Sequence, residues 1–214
     1  MNVAEKLQTI AENAPKVFEA GKKSQYDEFW DDFQMNGNRR DYNWAFYSRW
    51  RLGGWSNKTF QPKYPIICDG GANANADTMA CRAMCYGMYN FDGEIKQAII
   101  LRNTNVFSTF EDFPYLKAIH DLTLENITYA YRPFTNNIDL ETLNIKGEIA
   151  VNGFSWQWST KLNKESIQKI IGILSTTTSG LTITLSKTAV NKAFTDAEWA
   201  TLIATKPNWT ISLV

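Results

Sequence analysis

The sequence predicts an α/β fold in which short parallel strands stack as a solenoid, with a helical extension at the amino terminus and a helix-rich cap at the carboxyl terminus. Three observations predict it: a pattern that recurs every 24 residues, a carboxy-terminal alternation of strand-like and helix-like segments, and a heptad spacing at the start of the chain. A repeat unit of this size cannot bury an apolar face alone, whereas a stack of like units buries it in one continuous core.

The composition allows a packed core and excludes two classes of partner. The chain has 214 residues, of which 44% are hydrophobic and 14% aromatic, so one sizeable domain with an extension is expected. The 22 basic and 22 acidic side chains cancel. Nucleic acids and anionic membranes attract a concentrated basic surface. We therefore expect neither nucleic acid nor a membrane as a partner.

Residues 1–33 are predicted to form the helical extension. Apolar side chains alternate spacings of four and three residues, which is the heptad pattern of a coiled-coil seam. Pro15 favours a break inside this pattern, and a helix of about two heptads is marginal alone in water. Either the stripe packs on its own domain, or several copies associate as a short coiled coil and the protein is a homo-oligomer. The predicted oligomerisation residues are Val3, Leu7, Ile10, Ala14 and Val17.

Residues 34–78 are predicted to be an irregular, aromatic-rich cap at the amino-terminal end of the stack, because Asn-Gly, Gly-Gly and proline interrupt them. The tryptophans of this segment have two interpretations. They plug the open end of the neighbouring core, or they form a platform on which a sugar or a guanidinium group stacks. The candidate binding residues of the platform are Trp44, Trp50, Arg51 and Trp55.

Residues 79–150 contain the repeat. Each unit is predicted to consist of a turn that holds an aromatic residue and a strand with alternating apolar residues. The recurring positions are expected to face the core, and the positions that vary are expected to face outwards. Four pairs of residues lie 24 positions apart: Phe107 and Tyr131, Phe110 and Phe134, Leu116 and Leu140, and Ile119 and Leu143.

Residues 151–214 are predicted to close the stack. The stretch "NKESIQKIIGIL" predicts a helix with Asn163 as its N-cap. In "TDAEWATLIATKP", Thr195 and Glu198 have capping-box spacing, and Pro207 stops the helix. Alternation of strand and helix implies parallel strands joined by crossover helices. We expect the sheet of the repeats to continue through strands near residues 143, 181 and 209.

Three cysteines and one histidine are nominal zinc ligands: Cys68, Cys81, Cys85 and His120. The chain has neither a Cys-x-x-Cys motif nor a paired histidine motif, which zinc sites commonly use. An odd number of cysteines without a secretion signal is typical of free thiols. We expect the cysteines to be small buried hydrophobic residues, and we predict neither a metal nor another cofactor.

Catalysis would require a carboxylate pair. The acids beside Trp30, or Asp69 and Asp77, suit a polysaccharide hydrolase only if two of them face each other across a cleft. Neighbouring acids on one helix are more typical of a solvated face, and no serine, cysteine or histidine constellation offers another chemistry. The sequence therefore predicts that the protein is not an enzyme, and it assigns no catalytic residue.

The repeat and both ends of the chain resemble a known family. The units, with an aromatic turn, "L-x-x-I" and a short strand, resemble the leucine-rich repeats of BspA-type proteins. The runs "GFSWQWSTKLNKESIQKIIGIL" and "AEKLQTIAENAPKVFEAGKKSQYDEFWDDF" are similar to the end module and leader of repeat proteins from gut Firmicutes and their prophages. This resemblance implies a leucine-rich-repeat-like solenoid with an adhesive or binding role and no catalytic residues. Residues 34–98 depart from it, being rich in tryptophan and cysteine.

The functional expectation is a non-enzymatic binding or adhesion protein, specifically a phage or prophage virion component associated with a tail or fibre. Its partner would be a protein or a surface glycan. The alternative is an intracellular or structural protein-interaction module with no ligand site, and the remoter alternative is a polysaccharide hydrolase. The first 23 residues lack an uninterrupted apolar stretch, so we expect no signal peptide, synthesis in the bacterial cytoplasm and association with the virion in the phage case.

Overall fold

The computed structural model describes residues 64–73, Cys81, Met84, Cys85, Gly87 and residues 93–214. The predicted helical extension and the predicted tryptophan platform lie outside these described residues, so both stay predictions. The residues concerned are Val3, Leu7, Ile10, Ala14 and Val17 of the heptad pattern, and Trp44, Trp50, Arg51 and Trp55 of the platform.

The described chain is a mixed α/β structure with parallel strands, as predicted. Its helices all lie in the carboxy-terminal part. None of the helices in the described part is long and apolar enough to cross a membrane. In chain order the elements are β1 (Ile66–Asp69), β2 (Gly93–Ile95), β3 (Ile99–Phe107), β4 (Leu116–Tyr131), β5 (Thr142–Gly147), β6 (Ser155–Trp156), α1 (Lys164–Gly172), β7 (Leu181–Leu185), α2 (Lys187–Ala193), α3 (Asp196–Ala204) and β8 (Trp209–Leu213).

The first sheet contains β1 to β5 and is parallel throughout. Its strand order is β1-β3-β4-β2, and β5 also pairs with β4. Ile119 of β4 lies opposite both Ile95 of β2 and Leu143 of β5, so the 24-residue spacing of the sequence is the register of the sheet. All three side chains are buried. The recurring apolar positions therefore meet in one core.

The turns between strands also stack unit on unit. The ring of Phe134 lies between those of Phe110 and Trp156, with centroids 5.3 and 5.0 Å away and small interplanar angles. The backbone follows the same spacing, since the N–H of Phe110 donates to the carbonyl of Pro133 at 2.9 Å. Stacked rings in this geometry add to the stabilisation that burial provides.

Three of the four repeated pairs are buried as predicted: Phe110 and Phe134, Leu116 and Leu140, and Ile119 and Leu143. The fourth pair differs, because Phe107 is half-buried and Tyr131 is 39% exposed. Successive side chains of a strand point to opposite faces. Val106 and Ala130 take the inward positions at the ends of β3 and β4, which turns Phe107 and Tyr131 outwards.

Strand β1 lies within residues 34–78, which the sequence predicted to be irregular, and corrects that prediction at Ile66–Asp69. Residues 34–63 and 74–78 lie outside the described residues. Ile66 and Cys68 are buried and alternate with the half-buried Ile67 and Asp69. This four-residue alternation is typical of a strand, but the surrounding glycines and prolines obscure it in the sequence.

The second sheet corrects the prediction of one continuous sheet. Strands near residues 143, 181 and 209 exist as β5, β7 and β8, but β7 and β8 pair with β6 in a separate three-stranded parallel sheet. An isolated β-bridge pairs Ile149, just after β5, with Leu174, just after α1, outside both sheets. Gly147 ends β5 with a φ of +100°. Residues other than glycine rarely adopt this conformation, and it interrupts the regular pairing of β5.

The helix ends confirm the predicted capping residues. The side chain of Asn163 accepts a hydrogen bond from the Ser166 N–H at 2.9 Å at the start of α1. Thr195 and Glu198 form the reciprocal capping box of α3, which ends at Ala204 ahead of Pro207. Helix α1 packs against β5 and buries Ile167, Ile170 and Ile171.

Candidate functional site

Exposed aromatic residues gather where β3 and β4 end. Tyr129 and Tyr131 are 40% and 39% exposed, and Tyr131 lies opposite Phe107 in the register of the sheet. The rings of Phe107 and Tyr131 stack with their centroids 4.9 Å apart. Arg132 follows Tyr131 and holds its guanidinium carbon 5.1 Å from the centre of that ring. We call Phe107, Tyr129, Tyr131 and Arg132 the tyrosine patch.

The backbone of two neighbouring turns positions this patch. Ser108 and Arg132 occupy equivalent places after β3 and β4, and both adopt a left-handed conformation, with φ values of 52° and 50°. The N–H of Ser108 donates to the carbonyl of Tyr131 at 2.8 Å. The chain turns at a left-handed residue at the same place in both units. The residues just before these turns, Phe107 and Tyr131, therefore lie side by side with their rings stacked. The patch is therefore built on paired strands rather than on a free loop.

The patch combines aromatic faces with a positive charge. The side chain of Arg132 is 57% exposed, and its Nη1 atom lies 3.8 Å from Oε1 of Glu111. An exposed cation over an aromatic ring contributes about 0.5–1 kcal/mol, which favours one orientation of the guanidinium group. The two tyrosine hydroxyls both donate and accept hydrogen bonds, and Arg132 only donates. Such a surface suits the ring of a sugar, or a protein segment with an acceptor group beside an apolar one.

Two more exposed aromatic side chains lie on the turns rather than at the strand ends. Tyr115 precedes β4 and is 51% exposed, and Trp158 follows β6 and is 50% exposed. They belong to different units, and neither takes part in the stacked pair of the tyrosine patch. Lys161, in the turn that holds Trp158, forms a 2.7 Å ion pair with Asp139 in the turn between β4 and β5.

A row of amide side chains crosses the first sheet. Asn126 donates through Nδ2 to Oδ1 of Asn103 at 2.8 Å, and Asn103 donates to Oδ1 of Asp69 at 3.3 Å. Asp69 also accepts from the N–H of Gly71 at 2.9 Å. The carboxylate of Asp69, one of the candidate hydrolase acids, thus holds the turn after β1. Asp77 and the acids beside Trp30 lie outside the described residues.

His120 lies in β4, where the sequence predicted a strand, and faces outwards. Its Nε2 atom is 2.9 Å from Oε2 of Glu94, and its carbonyl accepts from Nδ2 of Asn144 at 2.8 Å. The hydrogen bond to His120 lowers the pKa of the Glu94 carboxyl. This row joins β2, β4 and β5 across the surface and brings His120 to a carboxylate rather than to a cysteine.

The three cysteines are buried, as predicted, and none of them is in a disulfide bond. The Sγ atom of Cys81 donates to the carbonyl of Asn105 at 3.0 Å, and that of Cys68 lies 3.7 Å from Sδ of Met84. Burial raises the pKa of the Cys85 thiol well above its ordinary value, and the nearby Cys81 adds to the rise. Within the described part of the chain, no three histidine, cysteine or acidic side chains cluster as metal ligands do.

The tyrosine patch is not among the candidate residues that the sequence identified. Tyr129 and Tyr131 flank Ala130, and this alternation was a readable sign that both tyrosines share the face opposite a buried alanine. The 24-residue recurrence of Phe107 and Tyr131 instead suggested an inward pair. The chain matches no family model, no curated protein and no solved structure.

Proposed function

We propose that this protein is a non-enzymatic binding protein with a leucine-rich-repeat-like solenoid of the BspA type, and that the tyrosine patch recognises a surface glycan or a protein. The solenoid is supported by the register of the first sheet, in which Ile95, Ile119 and Leu143 lie side by side at the repeat spacing. The stacked turns of Phe110, Phe134 and Trp156 extend the same arrangement.

The observation that carries the proposal is the stacked, outward-facing Phe107–Tyr131 pair with Arg132 above it. Tyrosine and arginine are among the residues that most often dominate recognition surfaces. A tyrosine side chain presents a large, rigid face with only about two rotatable bonds. The stacking partner holds Tyr131 in place before a ligand arrives, so little side-chain entropy is lost on binding. A ring that served the core alone would not be 39% exposed.

The placement in a phage or prophage virion, as a tail or fibre accessory, rests on the resemblance of both ends of the chain to prophage repeat proteins. A homo-oligomer joined by the heptad pattern of residues 3–17 would present several tyrosine patches at once. Linked weak sites gain avidity without tighter single contacts. Multivalency and the tyrosine patch would then belong to one binding mechanism.

The proposal is tested by measuring binding of the full chain to immobilised bacterial cell-wall polysaccharides and mucin glycans by biolayer interferometry. Tyr129→Ala and Tyr131→Ala are each expected to weaken binding at least tenfold, since stacking on a sugar ring is lost. The melting temperature should stay within a few degrees of that of the wild type. Tyr115→Ala is the matched control, because it removes an even more exposed tyrosine outside the patch.

Two outcomes would contradict the proposal. If no surface glycan or cell-surface protein binds, or if the two patch variants bind as the wild type does, the intracellular or structural interaction module becomes the better account. If the bound polysaccharide instead releases reducing ends over time, the protein is a hydrolase, and the carboxylates rather than the tyrosines become the residues to substitute.

A further inference from the structure

Within the described part of the chain, β8 is an edge strand of the second sheet. Among the described strands it pairs with β7 alone, at the end of the order β6-β7-β8. The N–H of Val214 donates to the carbonyl of Leu185 at 3.1 Å, and the carbonyl of Val214 accepts from the N–H of Lys187, just after β7, at 2.8 Å. Both backbone groups of Val214 therefore point to the side of β8 on which β7 lies. Backbone groups alternate along a parallel strand. Thr210 and Ser212 therefore also face β7, while the N–H and C=O of Ile211 and Leu213 face away from it.

This edge lacks the features that keep exposed strands apart. Residues 208–214, "NWTISLV", contain no charged side chain and no proline, although edge strands are commonly blunted by lysine, proline or an inward charge. Ile211 and Leu213 are half-buried, and Val214 is 68% exposed. An uncharged strand rich in β-branched residues with unused hydrogen-bonding groups favours pairing with another strand.

We propose that β8 pairs with β8 of a second copy of this chain, antiparallel, about a two-fold axis at Ile211. Ile211 is the middle residue of Trp209–Leu213, and its outward N–H and C=O would exchange two hydrogen bonds with Ile211 of the second copy. In this register the outward N–H of Leu213 meets the outward carbonyl of Trp209. On the other face of the sheet, Thr210 lies opposite Ser212.

The strand fits itself better than it fits a charged partner. Within Trp209–Leu213, every cross-strand pair in this register joins two apolar residues or two hydroxyl residues, and no like charges oppose each other. An apolar groove of about 340 Å³, lined by Ile203, Pro207, Trp209 and Ile211 among others, adjoins the same edge. Leu213 of the second copy lies opposite Trp209, beside this groove, and brings Val214 with it. A two-fold axis at β8 covers the groove of both copies and pairs the outward groups of both β8 strands, while β6 stays the other edge of the sheet among the described strands.

This interface is separate from the tyrosine patch and does not depend on the proposed function. It is tested with full-length Ile211→Lys and Ile211→Glu by analytical ultracentrifugation. Each variant places two like charges opposite each other, so its molar mass should fall at least twofold relative to the wild type. Mixing the two variants in equal amounts should restore the wild-type mass, because lysine then faces glutamate. Thr210→Lys is the control and should keep the wild-type mass, since that residue faces a serine.

A second measurement needs no substitution and covers the case in which a charge at residue 211 prevents folding. Amide hydrogen exchange of Ile211 and Leu213 in the wild type should slow as the protein concentration rises, whereas exchange of Thr210 and Ser212 should not change. The proposal is wrong if exchange at Ile211 is independent of concentration, or if folded Ile211→Lys and Ile211→Glu keep the wild-type mass.

Discussion

The two sheets of this protein are held together in different ways. In the first sheet, equivalent residues of neighbouring units contact each other, as Phe110 contacts Phe134 and Asn103 contacts Asn126. In the second, a few side chains bond to backbone carbonyls that no repeat predicts. Lys206 donates through Nζ to the carbonyl of Gly172 at 2.9 Å and to the carbonyl of Leu174. The carbonyl of Ser175 accepts two hydrogen bonds, one from Nδ2 of Asn208 and one from Nε1 of Trp209, both at 2.8 Å.

This difference predicts which substitutions destabilise each region. A stack of equivalent contacts shares its stability among the units, so a substitution acts mainly on its own unit and the next. In the second sheet, residues 206–209 tie β8 to the chain that follows α1. The attachment of β8 to the rest of the carboxy-terminal region therefore depends on single side chains. Three sets of variants test this contrast.

The largest effect is expected at Gly147, where the stack meets its closing region. A Cβ atom there would lie 1.8 Å from the carbonyl oxygen of Leu124, and the φ of +100° adds strain. Gly147→Ala should lower the free energy of unfolding by at least about 3 kcal/mol, measured in urea. Gly172→Ala is the matched control, because it meets no atom within 4 Å and lies in α1, where alanine is favoured by about 0.5–1 kcal/mol. Equal losses in both variants would contradict the contact.

A smaller loss is expected at Lys206 in the second sheet. Lys206→Met keeps the length of the buried side chain but removes its two bonds to the end of α1. A charge-assisted bond contributes about 1.5–3 kcal/mol, so we expect a loss of unfolding free energy in that range. Lys192→Met serves as control, since this exposed lysine should change stability by no more than about 0.5 kcal/mol. An unchanged Lys206→Met protein would show that α1 and β8 are joined by packing alone.

The smallest effect is a pH dependence at Glu198. Hydrogen bonds from Lys164, and then from the backbone and side chain of Thr195, lower the pKa of the Glu198 carboxyl from 4.5 to about 2. The folded state thus binds this proton less readily than the unfolded chain does. Its contribution to stability is present above pH 4.5 and is lost as the pH falls towards 2.

The carboxyl titration of Glu198, followed by NMR, measures this pKa directly. Lys164→Met should raise the pKa most, and Thr195→Val should raise it less, because Lys164 is the largest cause. Glu165 is an internal comparison, since its lowered pKa comes from Lys169 and should not respond to either variant. An ordinary pKa for Glu198 in the wild type would contradict both the ion pair and the capping box.

Local chemistry and repetition were readable from the sequence. Asn163, Thr195 and Glu198 were predicted correctly because a capping side chain bonds to a backbone group three residues away. The register of Ile119 with Leu143 followed from the repeat, since stacked units place equivalent residues side by side.

The other features depend on contacts between residues far apart in the chain, which no local sequence pattern indicates. The break between the sheets at Gly147 reflects a close approach to Leu124, a residue of another unit. The Glu94–His120 pair depends on how β2 lies against β4, where the register shifts. The tyrosine patch was missed because recurrence identifies equivalent residues but does not say which face they share; only the alternation around Ala130 does.

Recurrence along this chain marks a buried core, and we propose that it also marks an exposed recognition surface. Phe134→Ala and Tyr131→Ala test it in one urea titration, because both rings stack on a partner 24 residues earlier in the chain. We expect Phe134→Ala to lose about 3–5 kcal/mol of unfolding free energy and Tyr131→Ala to lose less than about 1.5 kcal/mol. Equal losses would place Tyr131 in the core and remove the basis of the proposed binding surface.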